Sequence, residues 1–365
     1  MKPSLDDDPT WAEALASPEW EFWVAGTCEE IQSLQDLQVF VLVPQSSVPS
    51  NHWPMHGKLI CKCKCNDSGN VTRFKVRYVA KGYAQCYGID YNKTTAPTAC
   101  LESFRLLLHF AASMEWELHQ FDIKTAFLNG ILPDEEVAYT EQPPGFEELG
   151  KDDWVWKLMH SIYGMKQASH IWNHMFDSTV HSWGFCCMSS EWCIYLQVSD
   201  TGTTIFTLHI NDILSTSSSL AKLEHFQTAL KSCWDISDLS PANFALGISI
   251  TQCLPQCTVS IQQSAFIDWL LVKFNQMMAH PCDTSMAAGL VLHCPDKSIL
   301  VDLATLLWMQ HTSYCELVGS LNYLAVTTHP DLTFAVGHLA SFLDCYHSKH
   351  WTCCHQGSSL CERYS

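Results

Sequence analysis

The stretch CIYLQVSDTGTTIFTLHIND, residues 193–212, constrains the fold most tightly. It holds two β-rich runs, CIYLQV and TTIFTLHI, around the polar turn SDTGT, and the second run passes straight into Asn211 and Asp212. Strand-forming residues flanking a Gly-containing turn predict an antiparallel hairpin. A second strand ends in a carboxylate elsewhere. The segment LESFRLLLHFAASMEW (101–116) repeats apolar residues at helical spacing, at Leu101, Phe104, Leu108 and Ala111, and feeds the strand-like run WELHQFDI (116–123), which contains Asp122. A helix feeding a strand, followed later by a hairpin, is the element order expected of an α+β sheet backed by helices.

The rest of the chain fills in around these pieces. Residues 10–35 read as a mainly helical segment, and QVFVLV as a short strand followed by a loop marked by Pro44, Pro49 and Pro54. KLICKCK and VTRFKVRYVAKG flank the polar turn NDSGN, a hairpin signal. In its second arm Phe74, Val76 and Tyr78 alternate with Arg73, Lys75 and Arg77, so one face is apolar and the other a row of cations. After the loop EQPPGFEELGKDD, the strand WVWKL leads into a helical pattern from about Ser161 to Trp183. The C-terminal part reads as mostly helical, through FIDWLLVKF, YCELVGSLNYLA and LTFAVGHLASFL.

Charge narrows the function. The 365 residues carry a net charge of −18, which argues against a general nucleic-acid-coating protein. Yet Lys58, Lys62, Lys64, Arg73, Lys75, Arg77 and Lys81 cluster within one stretch opposed only by Asp67, a local site for an anion. The nineteen cysteines are scattered rather than arranged as a secreted framework. ICKCKC places Cys61, Cys63 and Cys65 on one strand face, where zinc is conceivable in principle, but no second ligand pair sits at the usual spacing. The terminal HWTCCHQ is discounted on similar grounds. No apolar run reaches the roughly 18–20 residues that span a bilayer. The acidic N-terminus MKPSLDDDPT lacks the features of a signal peptide. An intracellular protein, cytoplasmic or nuclear and not secreted, is expected.

The motifs KVRYVAKGYAQ, LESFRLLLHFAA, WELHQFDIKTAFLNG, EQPPGF, VWKLMHSIYGMKQASHIWN, TLHINDIL, FALGISI and VGSLNYLAVTTHPDLTFAVGHLASF resemble, in order and spacing, the reverse transcriptase region of copia-type retrotransposon Pol polyproteins. The resemblance runs over residues 10–345. It implies an α+β right-hand polymerase fold, with fingers, a palm whose antiparallel sheet is backed by helices, and a thumb or connection. Expected boundaries are 1–37 for the N-terminal helical segment, 38–280 for fingers and palm, 281–345 for thumb and connection, and 346–365 for a degenerate tail. The implied activity is RNA-directed DNA polymerisation on an RNA or DNA template-primer with deoxynucleoside triphosphates. Two magnesium ions are the implied cofactor. Asp122 matches the first metal ligand, with the Ile123 carbonyl as helper, and Asp212 a secondary one. Phe127 matches the aromatic under the sugar. Lys75, Arg77 and Lys81 match residues that grip the triphosphate, and Gly164, Lys166, Gln167 and Ala168 the segment against nucleotide and template. The alternative is a solvated strand face for the cations and an exposed helix face for Lys166 and Gln167.

The departures from that pattern are as informative as the matches. The hairpin that reads Tyr-Val-Asp-Asp in the family reads His209, Ile210, Asn211, Asp212, so a neutral amide replaces the principal metal-binding carboxylate. Loss of such a ligand predicts weakened magnesium binding and a rate loss of roughly 10³-fold or more. Cys100, His170 and His329 stand where arginine is usual, and Ser169 where proline is. With only four arginines against 18 His, 19 Cys and 14 Trp, the pattern fits single-transition decay of arginine codons. After Gln167 only Lys222, Lys231, Lys273, Lys297, Lys349 and Arg363 remain as cations, so grip on nucleic acid should be reduced. No RNase H, integrase or protease is read in the chain, and its last residues are expected to be out of frame. The two leading readings are an impaired reverse transcriptase and a noncatalytic remnant retaining at most nucleic-acid binding. A cysteine-rich metal-binding protein is a third.

Overall fold

Thr10 and Glu13 close a reciprocal capping box ahead of helix α1 (Trp11–Ala16). Ser17 precedes a proline and is therefore held extended, which ends α1 and splits the expected single segment into α1 and α2 (Trp20–Asp36). The computed structural model describes residues 8–65, 71–277, 284–287, 289–293, 307, 309 and 311–361. Two units emerge, Met1–Leu107 with Phe121–Asp238, and Leu108–Gln120 with Leu239–Ser365. The division falls at Asp238, well before the boundary near residue 280 that the resemblance implied.

In the first unit, β1 (Phe40–Pro44), β5 (Ala138–Thr140) and β6 (Trp154–Leu158) form a three-stranded antiparallel sheet in the order β1-β6-β5. β2 (Gly57–Cys65) and β3 (Val71–Ala80) form an antiparallel ribbon, and the turn NDSGN expected between them lies outside the described residues. Trp23 and Leu34 of α2 pack with Leu59, Cys61, Val76 and Tyr78 of the ribbon and Trp156 of β6 in one buried cluster. Cys61 thus belongs to the core, and burial pushes its thiol up to about 11, unlike a metal-ready thiolate.

A six-stranded sheet completes this unit, built from β4 (Leu118–Ile123), β7 (Cys186–Met188), β8 (Glu191–Ser199), β9 (Gly202–His209), β10 (Asp212–Ser217) and β11 (Ile236–Asp238). Its order is β11-β4-β10-β9-β8-β7, with the expected hairpin as the antiparallel pair β8–β9 and a second hairpin, β9–β10, carrying Ile210 and Asn211 in its turn. Helices α5 (Ala168–Ser182) and α6 (Leu220–Cys233) back it, their Trp172, Phe176, Phe226 and Leu230 packing with Phe121, Tyr195 and Phe206 of the sheet. α3 (Leu101–Ser113) precedes β4 as expected, and the short α4 (Ala126–Asn129) follows it.

The helix expected from Ser161 starts only at Ala168, a correction with a clear cause. Gly164 sits at φ +87°, and a Cβ on it would lie 2.1 Å from the Ala80 carbonyl oxygen. The backbone is bent there to pack on the end of β3, with the Ala80 N–H donating to the Tyr163 carbonyl at 2.8 Å. In the second unit, β12 (Phe244–Ala245), β13 (Ile248–Cys253) and β14 (Thr258–Gln262) form an antiparallel meander absent from the mostly helical expectation. Helices α7 (Ser264–Lys273), α8 (Tyr314–Thr327), α9 (Thr333–Ala340) and α10 (Ser348–Cys361) follow, with Leu270, Leu317, Leu321 and Leu339 in their shared core. Among the described residues no helix is long and apolar enough to cross a membrane.

Candidate active site

Asp122 occupies the penultimate position of β4, and Asn211 the turn of the β9–β10 hairpin beside it. Two backbone contacts fix the turn. The Ile123 N–H donates to the Asn211 carbonyl at 2.9 Å, and the Trp172 indole Nε1 donates to the Ile210 carbonyl at 2.6 Å. Ile210 is held at φ +62°, a conformation rare for a β-branched residue and therefore one that its surroundings must impose. Trp172, itself buried, supplies part of that constraint. The result brings the two side chains together, and the Asn211 amide Nδ2 donates a short hydrogen bond to Asp122 Oδ1.

That bond is the chemical content of the site. Two carboxylates at this position would repel and call for a cation between them; an amide and a carboxylate satisfy each other. Two magnesium ions need several anionic oxygens. This pair offers one formal negative charge, with an oxygen already engaged. Among the described residues no group of three or more His, Cys, Asp or Glu side chains is arranged to hold a metal ion. The donor set therefore does not fit the two-ion centre that the resemblance implied. Asp212 opens β10 opposite His209 and is not part of the cleft lining, whereas Asp122, Ile123 and Asn211 are.

The cleft has a volume of about 1710 Å³, and α2, β3, the segment 122–129, Tyr163 and the segment 231–237 line it. Lys124 holds its base by pairing with Asp235 at 3.0 Å. Phe127 of α4 lies in the lining with its ring 5.6 Å from that of Tyr163. Of the expected triphosphate grip, Lys75 and Arg77 line the cleft, while Lys81 is not part of the lining.

The β2–β3 register makes the cation row larger than one strand shows. Lys62 stands opposite Lys75 and Lys64 opposite Arg73, and residues directly opposite in an antiparallel pair share a face. Six cations, with Lys58 and Arg77, thus occupy one face of the ribbon, an arrangement unfavourable without counter-charge. Burial and then the neighbouring Arg77, Lys64 and Arg73 depress the Lys75 ammonium pKa. Acids of the N-terminal segment supply part of the balance, with Arg73 at 3.0 Å from Glu29 and Lys62 at 3.8 Å from Asp8. The Arg77 guanidinium lies 4.7 Å over the Tyr163 ring. Burial raises the Tyr163 hydroxyl pKa, against the lowering effect of Arg77.

Gln167 is wholly buried, which corrects the exposed helix face held as its alternative. Its amide accepts from Gln85 Nε2 at 3.0 Å and donates to the Asp90 carbonyl at 2.8 Å. Gln85 also accepts the Lys166 N–H at 2.8 Å, and its backbone carbonyl accepts from Lys166 Nζ at 3.0 Å. Gly164, Lys166 and Gln167 therefore form a seam with residues 80–90, and Gln167 is not part of the cleft lining. His170, at an expected arginine position, bonds the Thr95 carbonyl at 2.8 Å, and Cys100 lies 3.3 Å from Glu191. Sequence reasoning missed Trp172, Tyr163, Asp235 and Glu30. Tyr163 and Trp172 carried a signal, their place inside one quoted motif.

The family model described as reverse transcriptase (RNA-dependent DNA polymerase) matches residues 38–288. The Retrovirus-related Pol polyprotein from transposon TNT 1-94 of Nicotiana tabacum is 34% identical over 343 residues, covering 93% of this chain and 25% of the polyprotein. The corresponding polyprotein from transposon RE2 of Arabidopsis thaliana is 33% identical over 290 residues, covering 79% of this chain and 19% of the polyprotein. The chain thus spans a quarter or less of the length of these relatives. The foamy viral protease-reverse transcriptase, solved with double-stranded DNA, is similar at a TM-score of 0.47 and 11% identity over 93% of this chain and 48% of that one. That likeness is too slight to carry an argument.

Proposed function

Because the chain belongs to the copia-type branch of the reverse transcriptase (RNA-dependent DNA polymerase) family, we propose that it is the polymerase region of a retrotransposon Pol polyprotein, crippled in nucleotidyl transfer at Asn211. Its fold is the α+β right hand of that family. The first unit corresponds on this reading to fingers and palm, and the second to the thumb and connection. The family's chemistry depends on two divalent ions that activate the primer 3′-hydroxyl and stabilise the leaving pyrophosphate.

The hydrogen bond from Asn211 to Asp122 carries the proposal. It removes one metal-binding charge and engages an oxygen of the other ligand, so magnesium binding is weakened. The remaining parts are suited to binding. Lys75 and Arg77 present positive charge to a triphosphate, with Lys81 just beyond the end of their strand as an outlying contact, and Phe127 offers a ring under the sugar. Asp212 acts as a secondary acid. Gln167 acts by buttressing the cleft wall from within the seam rather than by touching nucleotide.

Primer extension tests this. With magnesium, a primed template and deoxynucleoside triphosphates, the native chain is expected to extend roughly 10³-fold more slowly than Asn211→Asp. Equal rates overturn the proposal. The second reading, a remnant that only binds, is favoured by the same bond and by the intact cation face. Reversion that restores nothing, alongside salt-dependent binding of the primer-template, selects it.

A further inference from the structure

Glu30 extends from α2 into the cleft that Lys75 and Arg77 also line, and none of the chemistry above uses it. Its Oε1 accepts the Tyr78 backbone N–H at 3.2 Å, so the carboxylate is fastened to β3. The charged and titratable groups around it are Lys75 and Arg77 of β3, Tyr163 from the segment ahead of α5, and Glu29 on its own helix. Glu29 is exposed and paired with Arg73, so it can turn into solvent at little loss. Glu30 is half-buried and tethered.

A polyanion settling on Lys75 and Arg77 adds negative charge beside a carboxylate that is tied in place. Such a group either repels the ligand or becomes neutral. Neutralisation needs no movement, and burial already favours it, opposing the Tyr78 bond and the two cations.

We propose that Glu30 takes up a proton from solvent when a polyphosphate binds the cation face, making binding at this site proton-linked. One proton passes from bulk water to a carboxylate oxygen of Glu30 on binding and returns on release, with no other bond made or broken. Affinity therefore rises as pH falls. The inference rests on reading the face as a triphosphate site.

Titration calorimetry with trimetaphosphate, which stays fully ionised on the acid side of neutrality, in buffers of differing ionisation enthalpy, counts the protons. Comparison with Glu30→Gln separates the Glu30 proton from any taken up by Lys75, whose ammonium pKa is depressed by burial and the neighbouring cations. The native chain is expected to bind with net proton uptake. Glu30→Gln keeps an acceptor for the Tyr78 N–H and is expected to bind several-fold more tightly with that uptake lost. Binding without uptake in the native chain, or unchanged uptake in Glu30→Gln, overturns the inference while leaving the triphosphate site standing. No binding by the native chain overturns the site and the inference together. If Glu30→Gln does not fold, Glu30→Asp is expected to move the pH of maximal uptake downward, and an unmoved profile overturns the inference.

Discussion

Whether residue 211 brings a negative charge or an N–H to Asp122 decides how the site stands without metal. In the native chain the amide satisfies Asp122. Asn211→Asp places two carboxylates in that contact and should destabilise the metal-free protein by on the order of 1–4 kcal/mol. Thermal unfolding with chelator and with magnesium checks this. Magnesium is expected to restore the variant's stability and to leave the native chain's almost unmoved; a native chain stabilised to the same degree contradicts the account. Trp172→Phe keeps most of the ring and removes the donor to the Ile210 carbonyl. A loss of about 1 kcal/mol is expected, with faster hydrogen exchange at the Ile123 amide.

Among elements, the seam between residues 80–90 and 163–167 is what the sequence concealed. The apolar spacing from Ser161 onward suits a helix, and only the approach of the Ala80 carbonyl to Gly164 explains why none forms before Ala168. Gly164→Ala is expected to destabilise the first unit by at least about 1–3 kcal/mol through its positive φ, with the clash adding to this. Circular dichroism melts check it. Gln167 was equally illegible, because its partner Gln85 lies 82 residues away in the chain. The β12–β14 meander escaped because its strands are short and only half-buried. By contrast the strand holding Asp122 and the β8–β9 hairpin were legible, since β-rich runs show in the sequence itself, whereas the β9–β10 turn at residue 211 was implied only by the family resemblance. In α10, His350 is buried beside His347, and burial with that neighbour lowers its pKa to about 4. An unfolded histidine binds its proton near 6.5, so the folded form is favoured above that pH and loses the contribution as pH falls towards about 4. Denaturant titrations across this window should show the loss, and His350→Phe should reduce it.

For the molecule as a whole, a chain with a net charge of −18 concentrates six cations on one ribbon face. Lys273, a cation of the second unit, is paired with Glu316. Binding of a primer-template should therefore depend on the ribbon, and Lys75→Met with Arg77→Met should flatten the slope of log affinity against log salt by about 2. The cluster of cations was visible in the sequence, but its cross-strand doubling required the register. Family and fold were legible because many ordered motifs specify them. The Asn211 substitution was legible too, but its hydrogen bond to Asp122 required the structure. The most direct test of that contact is single-turnover extension with the template-primer saturating, comparing the native chain with Asn211→Asp. A rise of roughly 10³-fold or more in the reversion supports Asn211 as the lesion, and matching rates contradict it.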